Sequence, residues 1–320
     1  MKAIVRSEYG THEILRLQDT DQPEPQNDEI LIRVHASSVN PYDWHMMTGS
    51  PYLARLSAGL RRPRNPVLGA DVAGRVEAVG SDVTWCQFGD DVFGQADGGY
   101  AEYACLKTDN AAQKPEALTY EQVAALPIAG VTALQALRDS GRIRTGQRVL
   151  INGAGGGVGT FAVQIAVSYG ATVTGVCSAG NVELVRSLGA TDVVDYAKDD
   201  FLRGGPYDLI LDLVGNRSLL ACRRALAPNG SYVAVGAPKD GVLIGPLGFI
   251  AKILLISLAG RRMTPMLANV NRDDLNSLAA LVECGKVTPV IDRTFPLAAA
   301  ADALAYVGTG HSRGKVVITV

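Results

Sequence analysis

The segment VLINGAGGGVGTF carries Ala154, Gly156 and Gly159 in A-x-G-x-x-G spacing. Small residues at that interval let the backbone turn tightly and approach a pyrophosphate, and a helix opening behind them offers free N–H groups and a partial positive charge. A glycine run alone is equally a plain turn, so its flanks decide. RVLIN (148–152) reads as a strand. The apolar positions 158, 161, 162, 165, 166 and 169 lie on one helix face, Gly170 stops that helix, and ATVTGVC (171–177) is a second strand. The expectation is a dinucleotide whose phosphates meet Ala154, Gly155, Gly156, Gly157, Val158 and Gly159. Sites for NAD usually end the second strand with Asp or Glu, which binds the ribose 2′-hydroxyl. This chain instead reads CSAGN, with Ser178 and no acid before Glu183. No carboxylate is there to repel a 2′-phosphate, so the expected cofactor is NADPH. Ser178 and Asn181 could also cap the next helix, a role compatible with the first.

The elements that must position this loop alternate. NVELVRSLG (181–189) reads as a helix, and DVVDY, YDLILDLVG and GSYVAVG as strands. Apolar strands alternating with amphipathic helices imply a parallel sheet covered on both faces. The first hundred residues are different: KAIVRSEY, EILIRVHASSV, DVAGRVEAVG and GGYAEYACL are short β-rich runs. After about residue 286, VTPVIDRTFPL and GKVVITV are β-like again and are expected to return to the first domain. The α/β chain therefore divides into a β-rich domain of residues 1–121 and 286–320 and a doubly wound domain of residues 122–285. The apolar stretch 242–260 approaches membrane-spanning length, but Lys252 and Pro246 interrupt it. It is read as a loop followed by a short buried or interface helix. The arginines at 55, 61, 62 and 64 read as a solvated loop.

A net charge of −2 gives no basic field for nucleic acid. Five cysteines, odd in number and without C-x-x-C spacing, argue against a disulfide framework or a zinc cluster. The N-terminus lacks the apolar core of a signal peptide. A reduced, cytoplasmic setting without membrane attachment is expected.

With these residues in view, the chain resembles the zinc-independent medium-chain dehydrogenases/reductases of the quinone oxidoreductase branch. The likeness spans the whole length and rests on SSVNPYDW (37–44), LGADVAGRVEAVGSDV (68–83), PIAGVTALQAL (127–137), GAGGGVGTFAVQIA (153–166), LGATDVVDY (188–196) and RGKVVITV (313–320). It implies a GroES-like domain, a Rossmann domain, a cleft for nicotinamide and a small-molecule substrate, and a homodimer. It also implies cofactor contacts from Thr132, Tyr196 and Gly236. Zinc-dependent relatives place a Cys where this chain has Asn40, a His–Glu pair at Ala70–Asp71, and a further ligand near Ile128. A catalytic zinc needs three protein ligands and an open position, so no metal is expected, and Asp71 is left as a structural hydrogen-bonding residue.

Without a metal to polarise a carbonyl, the easier hydride acceptors are quinones and C=C bonds conjugated to a carbonyl. The resemblance sets Asn40 near the nicotinamide and offers two phenols as proton donors: Tyr52, first choice despite an extra residue in GSPY, and Tyr42. Each phenol is equally readable as a wall residue. His45 reads as packed or exposed, and Asp43 as bonding backbone locally. The alternatives are an enoyl-thioester reductase and a non-catalytic NADPH-binding protein.

Overall fold

The computed structural model describes residues 1–52, 55–236, 247–257 and 262–320. In chain order the strands are β1 (Lys2–Val5), β2 (Arg16–Asp19), β3 (Glu29–Val39), β4 (Asp71–Val79), β5 (Asp91–Ala96), β6 (Tyr103–Gln113), β7 (Arg148–Asn152), β8 (Thr172–Cys177), β9 (Asp192–Asp195), β10 (Tyr207–Asp212), β11 (Leu226–Ala234), β12 (Arg262–Pro265), β13 (Ile291–Pro296) and β14 (Lys315–Thr319). The helices are α1 (Pro41–Thr48), α2 (Arg55–Ala58), α3 (Tyr120–Ala124), α4 (Pro127–Gln135), α5 (Gly157–Ser168), α6 (Val182–Ser187), α7 (Leu219–Ala225), α8 (Leu247–Ser257), α9 (Arg272–Glu283) and α10 (Ala300–Gly308).

One compact unit holds residues 1–131, 270–284 and 289–320. Its main sheet runs β13-β14-β3-β4-β5-β6, and β6 also pairs with β3, so four strands close into a barrel. Alternation puts Ile30, Ile32 and Val34 of β3 inside, packed with Val72, Val76, Val92, Ala104 and Leu106. Beyond Val34 the register of β3 slips and alternation ends: Ala36, Ser37, Ser38, Val39 and Asn40 are all buried. The barrel half of β3 pairs with β6, while Ala36–Val39 pairs antiparallel with β14. That switch of partner carries polar side chains into the interior.

A second unit holds residues 132–269 and 285–288. Its sheet runs β12-β11-β10-β7-β8-β9, with every pairing parallel. Counted along the chain from β7, this is the doubly wound order 3-2-1-4-5-6, whose direction reverses between β7 and β10. The glycine loop leaves β7 at that point.

The unit boundaries differ from those read in the sequence, because α9 and residues 122–131 group with the first unit. Arg272 at the start of α9 donates to the Thr108 and Ala111 carbonyls and to Thr108 Oγ1, and stacks over Trp85. Leu278 packs beside Gly130. Of the apolar stretch 242–260, residues 242–246 and 258–260 lie outside the described residues. Within α8, Ile253 is buried while Leu254 and Leu255 are exposed. No described helix is long and apolar enough to cross a membrane.

Candidate functional site

Asn40-Pro41-x-Asp43 is a helix start written in sequence: proline suits the first helical position, and an acid two residues later can turn back to the cap. The Asn40 N–H donates to Asp43 Oδ2 at 2.8 Å. The Asn40 side chain is thereby released for other partners. Its Nδ2 donates to Asp71 Oδ2 at 2.8 Å, and its Oδ1 accepts from Lys315 Nζ at 2.5 Å. Asp71 also accepts from Ser38 Oγ at 2.7 Å and from the Ile128 N–H at 3.0 Å, and pairs with Lys315 Nζ at 3.5 Å. Asp71, Asn40, Ser38, Asp43 and Lys315 are all buried.

Positions 40 and 128, two of the expected places of lost metal ligands, thus meet at the Asp71 carboxylate, the residue after position 70. What they frame is a carboxylate neutralised by an ammonium. Burial pushes the Lys315 ammonium below its ordinary pKa, and Asp71 and Asp43 oppose that shift. Burial pushes the Asp43 carboxyl up to about 7, against the hydrogen bond from Asn40 and with a further push from Asp71. Asp71 is placed as the structural hydrogen-bonding residue that the sequence suggested, with Ser38, Asn40, the Ile128 N–H and Lys315 around it.

A cavity of about 350 Å³ adjoins this cluster, entirely within the first unit. Its walls include Arg6, Tyr42, Asp43, Met46, Arg64 and Asp97. Tyr42 projects from the first turn of α1. Burial, then Asp97 and Asp43, raise its phenol above the ordinary value, so it stays protonated and can donate. Tyr52 is not among the lining residues. Its exposed ring lies under Arg55, whose guanidinium carbon is 4.3 Å from the Tyr52 centroid and 4.3 Å from that of Tyr9. Arg55 also donates to the Gly49 carbonyl at 2.9 Å. Of the four arginines read as a solvated loop, Arg61, Arg62 and Arg64 are exposed, Arg64 at the margin of the cavity, and Arg55 instead clamps two rings. His45 is exposed, with Nδ1 2.7 Å from the Ser50 carbonyl.

In the second unit, Ala154, Gly155 and Gly159 are buried, and Gly156, Gly157 and Val158 are half-buried at the start of α5. A side chain at Gly159 would strike the Gly153 carbonyl at 2.1 Å, so the helix can approach the turn only through glycine. Gly156 is different: a Cβ there would meet only the Gly153 carbonyl, at 3.5 Å. The protein's own packing leaves room at this glycine, as a phosphate lying against the backbone requires. Gly156 caps α5 without a side-chain bond. Asn181 lies over Gly155, and its buried Oδ1 has no hydrogen-bond partner. Neither Ser178 nor Asn181 makes a side-chain cap, so capping does not account for them. The Tyr196 N–H donates to the Cys177 carbonyl at 3.2 Å, which sets Tyr196 beside the end of β8 and Ser178. Arg186 is engaged by Glu183 at 2.7 Å. The Gly236 N–H donates to the Asp212 carbonyl at 3.1 Å, and Thr132 is buried in α4. With room at Gly156, an uncapped helix start and an orphaned amide oxygen, these residues fit a dinucleotide.

Sequence reasoning missed Arg6, Asp97 and Lys315. The one available signal for Lys315 was a charge opening the apolar strand KVVIT.

Comparison with known proteins agrees with this geometry. Residues 26–116 match the family model described as alcohol dehydrogenase GroES-like domain, and residues 188–318 match that described as zinc-binding dehydrogenase. The bovine (Bos taurus) mitochondrial NAD(P)H oxidoreductase RTN4IP1 is 35% identical, over 100% of this chain and 89% of its own length. The mouse (Mus musculus) quinone oxidoreductase is 34% identical, over 99% of this chain and 97% of its own. The solved quinone oxidoreductase of Coxiella burnetii superposes with a TM-score of 0.89 at 36% identity, covering 100% of this chain and 99% of that one.

Proposed function

This chain belongs to the zinc-independent, quinone oxidoreductase-like branch of the medium-chain dehydrogenases/reductases and is an NAD(P)H-dependent oxidoreductase, and on that premise we propose that it uses NADPH to reduce quinones or α,β-unsaturated carbonyl compounds. The observation that carries the reading is Tyr42: a phenol on the wall of a cavity, beside a buried cluster in which the Asn40 amide stands where a metal ligand would and is held by Lys315 and Asp71. A site without a Lewis acid suits acceptors that are already electron-poor.

The residues to hold the cofactor are Ala154, Gly155, Gly156, Gly157, Val158 and Gly159 at the pyrophosphate, Ser178 and Tyr196 at the 2′-phosphate, and Thr132 and Gly236 nearer the nicotinamide. NADPH, when bound, supplies the hydride. The chain's own contribution is position and charge. The Tyr42 hydroxyl donates to the substrate carbonyl oxygen, where negative charge collects as the β-carbon is reduced. It can then pass its proton to the enolate and recover one from solvent. Asn40 does not move freely, because Lys315 and Asp71 hold both ends of its amide; its part is to keep the start of α1, and Tyr42 with it, in place. Tyr52 is the alternative donor. We take the working form to be a homodimer, on the family resemblance, in a reducing compartment such as the cytoplasm, in keeping with five free cysteines.

The test is NADPH oxidation over a panel of quinones and enones. Turnover on at least one class is expected. Tyr42→Phe should lower kcat for enones by at least about tenfold while leaving NADPH affinity unchanged. NADPH binding without turnover on any panel member would leave the non-catalytic alternative. Loss of turnover in Tyr52→Phe but not Tyr42→Phe would move the donor to Tyr52.

A further inference from the structure

The reductase reading accounts for Tyr42 but not for the arginine that shares its cavity. Arg6, at the end of β1, is 5% exposed and lines the same space. A buried guanidinium needs acceptors for its five N–H groups, or it bears much of its desolvation uncompensated. Arg6 Nη1 has one, the Met46 carbonyl near the end of α1. Arg6 Nε is buried with none. Tying α1 to β1 therefore explains half of this side chain. With Nη1 engaged and Nε closed off from solvent, Nη2 is the donor left to face the cavity, and a carboxylate oxygen would be its charge-assisted partner.

The surroundings favour an anion. Tyr9 lies 5.6 Å from the guanidinium carbon and offers it no carboxylate. No described salt bridge involves Arg6. Asp43 stands on the same wall but is pushed up to about 7 by burial, so at neutral pH it carries only part of a negative charge. Arg64 adds a second cation at the exposed margin, against Asp97. The cavity balance is thus positive, with its buried cation unpaired.

Resting on the reductase reading, we infer that Arg6, through Nη2, is a subsite for a carboxylate carried by the substrate, so that the preferred acceptors are small unsaturated carbonyl compounds bearing a carboxylate, with their carbonyl oxygen at Tyr42. A cavity of about 350 Å³ accommodates a small molecule of that kind.

The test separates this from catalysis by using an unreactive pair: levulinate, a saturated keto acid, and its neutral methyl ester, titrated calorimetrically into the full-length protein. Levulinate should bind at least about tenfold more tightly than the ester, the effect of one charge-assisted hydrogen-bonded pair. Arg6→Met should abolish the difference, and Arg6→Lys should retain only part of it, because an ammonium lacks the planar guanidinium. The wild-type comparison decides the matter even if Arg6→Met fails to fold. Equal affinity for acid and ester overturns the subsite, and does so whether or not enones are turned over. Inorganic phosphate binding more tightly than levulinate overturns the carboxylate assignment. Loss of discrimination in Arg64→Gln, with Arg6→Met unchanged, overturns the role of Arg6. If no enone or quinone is reduced but levulinate binding follows Arg6, the subsite stands and the catalytic reading falls.

Discussion

The cluster around Asp71 and the cavity beside it share residues and a wall, yet they treat buried charge in opposite ways. In the cluster, Asp71 receives Ser38, Asn40, the Ile128 N–H and Lys315, and both ends of the Asn40 amide are held. In the cavity, Arg6 has an N–H with no partner, and near the glycine loop Asn181 Oδ1 is in the same condition. Among the described residues, these two are the buried side-chain atoms left without a hydrogen bond. Folded chains satisfy buried polar groups almost everywhere. Full satisfaction marks framework, and the two exceptions lie beside the places proposed for substrate and cofactor.

The largest test of that contrast is Lys315→Met. Removing the ammonium leaves Asp71 buried and unpaired, which costs about 3–5 kcal/mol. Chemical denaturation should show that loss, and the double variant Asp71→Asn/Lys315→Met should recover part of it. A single variant within about 1 kcal/mol of wild type would mean that the cluster is not framework.

Next in size is the pH dependence contributed by Asp43. Its carboxyl titrates at about 7 in the fold, against an ordinary value of 3.8. Between those values the folded chain keeps a proton that the unfolded chain releases, so this group's contribution is full below about pH 4 and is lost as pH rises through 7. Asp43→Asn mimics the protonated acid at every pH. The stability of wild type relative to this variant should therefore fall by on the order of 3 kcal/mol between pH 4 and 7.5. A difference that stays constant over that range would show that Asp43 is charged in the fold.

The smallest effect concerns the second unit. Ser178→Asp should cost NADPH about 1–2 kcal/mol, roughly tenfold in Kd, and should favour NADH. Unchanged affinities for both cofactors would remove Ser178 from the 2′-phosphate site.

The second unit was the more legible in sequence, for a physical reason. Its strands, helices and glycine loop are specified by local periodicity, and the cofactor candidates from Ala154 to Tyr196 span two successive strand–helix steps. The local backbone bond expected of Asp43 was legible too, and it is the one from the Asn40 N–H, though the helix it opens was not read. The first unit's interior was not. Lys315 meets Asn40 across 275 positions, and Arg6 meets Met46 across 40. No local pattern distinguishes those cations from surface ones; only the pairing of β14 with β3 buries Lys315. The bulge in β3 was equally hidden, because Ser37 and Ser38 read as strand ends, not as interior acceptors and donors.

The same pairing gives the molecule a timetable. Synthesis runs from the N-terminus, and domains tend to form as their residues emerge. Residues 132–269 are finished well before β14, so the parallel sheet, built from neighbouring β–α–β steps, can assemble during translation. The barrel strands β3 to β6 are made earlier and pair among themselves, but the end of β3 that meets β14 must wait longer. Until residue 315 arrives, Asp71 has no ammonium to meet, and water must keep its place. The cluster around Asp71 is thus completed after the parallel sheet, and the loop closure that delays it spans 275 positions.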